Sequence, residues 1–220
     1  MYLIERVSNN IAGKIAATLK LDKEQEAVLA YGAFGLLETI LAIILVLVFG
    51  KIFGVLLEAI IISFVSAIFR KYSGGAHATS PNRCAAIGVI VSVGLGIFVN
   101  KISINIFSLL IFGLLTFFIV LYITVKYAPV DTPNKPIKKL ERRKKLKIKS
   151  LIILFLFLII TLILTRYYIK LGDVSLLSII ASILLGLLWQ AITLTSLGHL
   201  IIHKLDDSLR KIATLGGRGI

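Results

Sequence analysis

Six stretches of the chain are almost wholly apolar, and each approaches the ~20 residues that a helix needs to span a bilayer. They run over about 27–49, 52–69, 85–99, 104–125, 150–165 and 174–197. With 58% hydrophobic residues and a mean hydropathy of +0.97, no soluble domain of 220 residues could bury that surface. The chain therefore reads as an all-α polytopic membrane protein with six transmembrane helices in one membrane domain, 1–220.

Charge sets the expected orientation. Counting Lys and Arg in the segments between spans, alternate segments carry 21 on one side and 4 on the other. Basic residues stay cytoplasmic, so both termini, segment 70–84, segment 126–149 and the tail 199–220 are expected on the cytoplasmic side of the plasma membrane. The net charge of +14 is concentrated in 126–149. In such a protein it points to anionic lipid or an acidic peptide, and not to nucleic acid. The single cysteine excludes an intrachain disulfide and a multi-cysteine metal site, and no metal or cofactor is expected.

Residues 1–26 alternate polar and apolar positions, unlike the continuous apolar core of a cleavable signal peptide. Leu3, Ile4, Val7, Ile11, Ile15 and Leu19 fall near helical spacing, with Arg6, Asn10, Lys14 and Lys20 opposite. That pattern predicts an amphipathic helix lying in the interface. Asp22 to Gln25 resembles a capping box opening the first span.

The most polar interruption in the first half is 70–84, RKYSGGAHATSPNRC. It carries His77, one of three histidines, and Cys84. Gly74 and Gly75 permit backbone conformations closed to other residues. Ser80-Pro81 predicts a helix start, with serine as cap and proline in the first position. Cys84 then falls in the first turn or two, where the helix dipole favours an anion, and a neighbouring histidine can take a thiol proton. The local chemistry suggests an activated cysteine at a membrane edge; a small apolar side chain and a solvated histidine are the plainer alternative.

Other features are less directive. Gly88, Ser92 and Gly96, and Ser178, Ser182 and Gly186 followed by Gln190, form small-residue rows that let helices approach closely and permit, without requiring, a homodimer. Glu38 and Glu58 are acids within spans, which by default raises a functional question. His199 and His203 share a helical face and could bind metal, though Asp206 and Asp207 follow where a zinc hydrolase motif would need a glutamate. The segment KYAPVDTPNKPIKKLERRKKLKIK begins stiffly at Pro129, Pro133 and Pro136. It then carries Lys138, Lys139, Arg142, Arg143, Lys144, Lys145, Lys147 and Lys149.

These residues together resemble the accessory gene regulator protein B family, the membrane endopeptidases of Gram-positive peptide quorum sensing. The likeness rests on Arg70 followed by Gly74-Gly75-Ala76-His77, on Cys84 seven residues after the histidine, on Tyr127-Ala128-Pro129 and Lys135-Pro136-Ile137, and on the six-span layout. The resemblance implies a thiol protease that cuts the C-terminal tail from a small precursor peptide. The precursor would carry an amphipathic helix and an acidic tail. An acyl-enzyme thioester would then be opened by a side chain of the peptide, giving a thiolactone or lactone autoinducing peptide. It implies Cys84 as nucleophile and His77 as general base, with Arg70, Gly74 and Gly75 shaping the site, and the basic segment (Lys138, Lys139, Arg142, Arg143, Lys144, Lys145) holding the peptide. The residue orienting His77 stays open among Ser73, Glu38, Asp131 and Gln190. Two other readings compete: a small transporter or export channel using Glu38 and Glu58, and a metal-dependent hydrolase using His77, Cys84, His199 and His203.

Overall fold

The computed structural model describes residues 3–131 and 137–216. Pro133, Lys135, Pro136 and the glycine-rich end beyond Gly216 lie outside the described residues. All regular elements among those described are helical: α1 (Leu3–Leu19), α2 (Lys23–Ile52), α3 (Leu56–Ser73), α4 (Pro81–Lys101), α5 (Ile106–Tyr127), α6 (Leu140–Leu171), α7 (Ser175–Ile192) and α8 (Ser196–Gly216). They fall into two compact units, Met1–Leu45 and Val46–Ile220.

In the first unit the expected capping box forms. The Gln25 amide N–H donates to Asp22 Oδ1 at 2.8 Å, and the Asp22 N–H to Gln25 Oε1 at 3.2 Å. Each bond satisfies a backbone donor that the opening helix cannot pair. In α1, Ser8, Ala12 and Ala16 form the buried row, while Val7, Ile11, Ile15 and Leu19 are exposed.

Five helices are long and apolar enough to cross a membrane by length and composition: α2, α4, α5, α6 and α7. Helix α3, expected as the second of six spans, is not among them, because its 18 residues include Glu58, Arg70 and Lys71. It is nevertheless central to the second unit and packs on α7, α4 and α6. The contacts are close where residues are small. Gly96 of α4 sits against Val55, Glu58 and Ala59, and Gly186 of α7 against the Ile62 carbonyl and Val65. Gly88, expected in the same row as Gly96, meets nothing. Ser66 donates to the Gly186 carbonyl at 3.0 Å. Lipid is as apolar as leucine, so such close packing and interhelical bonds, rather than exclusion of water, hold helices together in a membrane.

Three boundaries differ from expectation in ways that shape the site. Helix α5 runs on to Tyr127 and α6 begins at Leu140, so Arg142 to Lys149 are helical and not part of a loop. Lys, Arg, Glu and Leu are good helix formers, and nothing after Pro136 interrupts them. Helix α7 stops at Ile192, short of the expected Leu197. The chain turns tightly there, with the Leu194 N–H donating to the Ala191 carbonyl and the Thr195 N–H to the Ile192 carbonyl. The expected polar tail is the amphipathic helix α8. Its Ile202 packs into a small apolar cluster with Ala76 and Ile87, flanked by Trp189, Leu205 and Leu209.

Candidate active site

The site is built where α3 ends and α4 begins. Gly74 closes α3, its N–H donating to the Arg70 carbonyl at 2.9 Å, with φ 72° and ψ −150°. That region of backbone space is essentially glycine's alone. A Cβ on Gly74 would run into the Val130 backbone. The two strands of chain touch here as a single parallel bridge, with the Val130 N–H donating to the Ser73 carbonyl at 2.9 Å. Gly75 follows at φ 136°, and a Cβ there would stand 2.5 Å from Thr193 Oγ1. The Ala76 N–H then donates to the Thr193 carbonyl at 2.9 Å. The glycine pair thus lets the chain lie between Val130 on one side and the α7–α8 turn on the other.

Two long side chains complete this turn. Gln190, buried on α7, donates to the Gly74 carbonyl at 2.7 Å and to Ser73 Oγ at 3.4 Å. The Arg70 guanidinium donates to the Ala76 carbonyl, so it ties the last turn of α3 to the residue before His77.

Helix α4 starts as the Ser80-Pro81 pair predicts, with Pro81 in the first position. Ser80 is extended at the cap, but its hydroxyl makes no capping bond and is buried without a partner. Its carbonyl accepts the Cys84 N–H at 2.9 Å. The amide of Cys84 is therefore committed to the helix and is not an oxyanion donor.

Cys84 Sγ and His77 Nδ1 come within 3.9 Å, at the long end of a sulfur–nitrogen hydrogen bond. Catalytic contacts of this kind are often long before substrate arrives. Cys84 is half-buried and free. His77 has an open edge, yet protein surrounds the rest of the ring. That partial burial, with the positive charge of Arg70 and then of His199, pushes its pKa down to about 4. At neutral pH His77 is therefore uncharged and able to accept a proton. Arg70 also lies within electrostatic reach of Cys84.

The four candidates for orienting His77 go elsewhere. Ser73 and Gln190 serve Gly74, Asp131 accepts the Ile137 N–H at 3.2 Å, and Glu38 belongs to the first unit, with Oε1 unpartnered. Glu58 packs its Cβ near Gly96. Of the paired histidines, His199 approaches His77 electrostatically and His203 faces outward. Among the described residues no three His, Cys, Asp or Glu side chains gather as a metal would require, so the four-residue hydrolase set is not assembled.

The basic residues Lys138, Lys139, Arg142, Arg143, Lys144 and Lys145 are exposed ahead of and along the first turns of α6. One of them reaches the site's border: Arg143 donates to the Pro129 carbonyl at 3.4 Å, next to the residue bridged to Gly74. Further along, Lys149 of α6 and Lys71 of α3 both stand over the Tyr72 ring, at 5.7 and 5.6 Å.

The acid that touches the His77–Cys84 segment comes from α8 and is not among those four. Asp206, 2% exposed, accepts from Thr79 and Arg83. Its signal was an acid on the apolar face defined by Ile202 and Leu209.

Comparison with known proteins supplies the family. The family model for accessory gene regulator B matches residues 8–194. The chain belongs to the accessory gene regulator B family. A protein described as AgrB-like from Clostridium perfringens strain SM101 is 37% identical over 213 residues, covering 96% of this chain and all of that protein. A second AgrB-like protein, from C. perfringens strain 13, is 36% identical over the same shares. No solved structure matches. Membership supports a role in accessory gene regulator quorum-sensing processing, and with the apolar helices it makes this a membrane protein.

Proposed function

We propose that this protein is a cysteine endopeptidase of the cytoplasmic membrane that removes the C-terminal tail of a small precursor peptide and closes the remainder into a ring. The reading is carried by one observation: the only thiol of the chain lies 3.9 Å from an uncharged imidazole, at the start of a helix, in a family of peptide processing.

The steps follow from the groups present. His77 takes the Cys84 proton as Sγ attacks the scissile carbonyl. The tetrahedral adduct collapses, and the leaving amine of the tail takes the proton from His77. The precursor remains on Cys84 as a thioester. A thiol or hydroxyl of the peptide then attacks that carbonyl, His77 accepting its proton and returning it to the departing Sγ. Arg70 holds the loop through Ala76. A thioester suits this route because an internal nucleophile opens it readily, and a site at the membrane edge limits access of competing water.

Helix α3 is the sixth span in this reading, with Glu58 near its outer end and Arg70 and Lys71 at the cytoplasmic end. Both termini and the site face the cytoplasm, where the excess of Lys and Arg lies. Helix α1 lies in the interface. The basic start of α6 holds the acidic tail of the peptide and rests against anionic lipid; Arg143 beside Pro129 brings that charge to the border of the site.

The test uses the purified protein in detergent or lipid with a small peptide carrying an amphipathic helix, a Cys or Ser, and an acidic tail. Mass spectrometry is expected to find a free tail and a ring one water lighter than the linear remainder, both lost in Cys84→Ala. Unchanged processing by folded Cys84→Ala would end the proposal.

A further inference from the structure

The base and the nucleophile sit at opposite ends of a short segment, His77 to Cys84. His77 is tied at its own end through Ala76 and the glycine turn. We propose that Asp206, on α8, is the positioning residue that sets the Cys84–His77 geometry; the proposal rests on the reading of those two residues as nucleophile and base.

Three donors meet on this one carboxylate. Oδ2 accepts the Thr79 N–H at 3.0 Å and the Thr79 hydroxyl at 2.6 Å. Oδ1 accepts Arg83 Nε–H at 2.5 Å. A terminal N–H of Arg83 also donates to Thr79 Oγ1 at 2.6 Å, which closes a ring of bonds. Thr79 is two residues after His77, and Arg83 immediately precedes Cys84, so the ring grips the segment just inside both reacting side chains. Asp206 is itself fixed in depth: Ile202, one turn before it, packs with Ala76 and Ile87, the residues flanking the site. On the same side of α8, His199 acts electrostatically on His77.

The chemistry calls for a carboxylate. It accepts only, and can take all three donors at once, whereas an amide would turn an N–H towards one of them. The surface of Asp206 is covered by these partners rather than by depth in the protein. Burial alone would raise its pKa, but the bonds from Thr79 and Arg83 outweigh that and hold it down at about 2. Asp206 lies outside the 8–194 matched by the family model, so this support is additional to the matched region.

The single cysteine makes iodoacetamide a direct probe, because its rate reports on Cys84 and on the help Cys84 receives. With full-length protein at pH 7, His77→Ala is expected to slow alkylation. Asp206→Asn is expected to slow it by about 10-fold or more, towards the ~100-fold that a misplacement of about 1 Å can cost, and to abolish the further effect of His77→Ala. Asp206→Glu should recover part of the rate. Thr79→Val, which removes one donor and leaves α8 untouched, should show the same loss in smaller degree and decides the matter if Asp206→Asn does not fold. The exposed neighbour Asp207, paired with Arg210 at 3.1 Å, is the control: Asp207→Asn should react like the parent. Parent-like rates with undiminished His77 dependence in folded Asp206→Asn and Thr79→Val would overturn the proposal. If instead His77→Ala has no effect in the parent, the base assignment itself fails, a separate outcome.

Discussion

His77 and Cys84 are held by different kinds of structure. The histidine end is held mainly by backbone: Gly74 and Gly75 press against Val130 and Thr193, and main-chain bonds run from Val130 to Ser73 and from Ala76 to Thr193. The cysteine end is held by side chains, with Thr79 and Arg83 gathered on one carboxylate. A backbone mount tolerates almost no added atoms, but titration does not release it. A carboxylate mount tolerates reshaping but depends on charge. The two ends of the site should therefore fail under different insults.

The largest effect is expected at the backbone end. Gly74→Ala forces a side chain into a glycine-only conformation, a strain of roughly 1–3 kcal/mol, and drives a Cβ into the Val130 backbone. Processing should be lost by more than about 100-fold, with a lowered melting temperature in detergent. Near-normal turnover by that variant would show that the turn is not a rigid mount.

Gln190→Leu comes next. It leaves the Gly74 carbonyl with only the longer bond from the Ser73 hydroxyl, at 3.3 Å, and takes from Ser73 Oγ the donor it accepts, a cost of about 1 kcal/mol. Thermal unfolding should register that loss while iodoacetamide reactivity changes less than it does in Asp206→Asn. The reverse ranking would erase the distinction between the two mounts.

The side-chain end should give way to acid. The pKa of Asp206 in the fold, about 2, lies below its ordinary 3.8. Its contribution to stability is therefore complete above about pH 4 and is lost as the pH falls towards 2. The difference in melting temperature between the parent and Asp206→Asn should be constant from pH 7 to about 4 and shrink below that. A constant difference down to pH 2 would contradict the assignment.

The smallest effect concerns His77. With a pKa of about 4, it stays uncharged until well below neutrality, so the acid limb of kcat/KM should lie near 4 rather than near 6.5. Burial is the main cause, Arg70 the second and His199 the third. Removing only the last, in His199→Asn, should move the limb upward. A downward move would mean that His199 acts otherwise than as a positive neighbour.

How much of this was legible follows the range of the interactions. His77 and Cys84 could be paired from spacing because the Ser80-Pro81 start and the glycine pair are local signals, and both act where expected. The capping box of α2 was readable for the same reason. The hydroxyl of Ser80 was not: a serine at a cap predicts a bond that this one does not make. Helix α3 reads as a span by its apolar run, but Glu58, Arg70 and Lys71 set it apart from the other five. The α8 contribution was hidden by distance, since Asp206 meets Thr79 across 127 positions and Arg83 across 123. Only its place on the apolar face of α8 could have flagged it. The mount of Gly74 by Val130 and Gln190 was equally remote, although the prominence of Gln190 at the end of a small-residue row was a real signal.

The most direct measurement removes the second nucleophile. A precursor whose ring-closing Cys or Ser is replaced by alanine can be cut but cannot cyclise, so the account predicts that it stalls on the enzyme. Intact-protein mass spectrometry should then show a gain equal to the tail-less peptide less one water, located at Cys84, released by hydroxylamine and absent from Cys84→Ala. Release of the tail by folded Cys84→Ala protein would contradict the account.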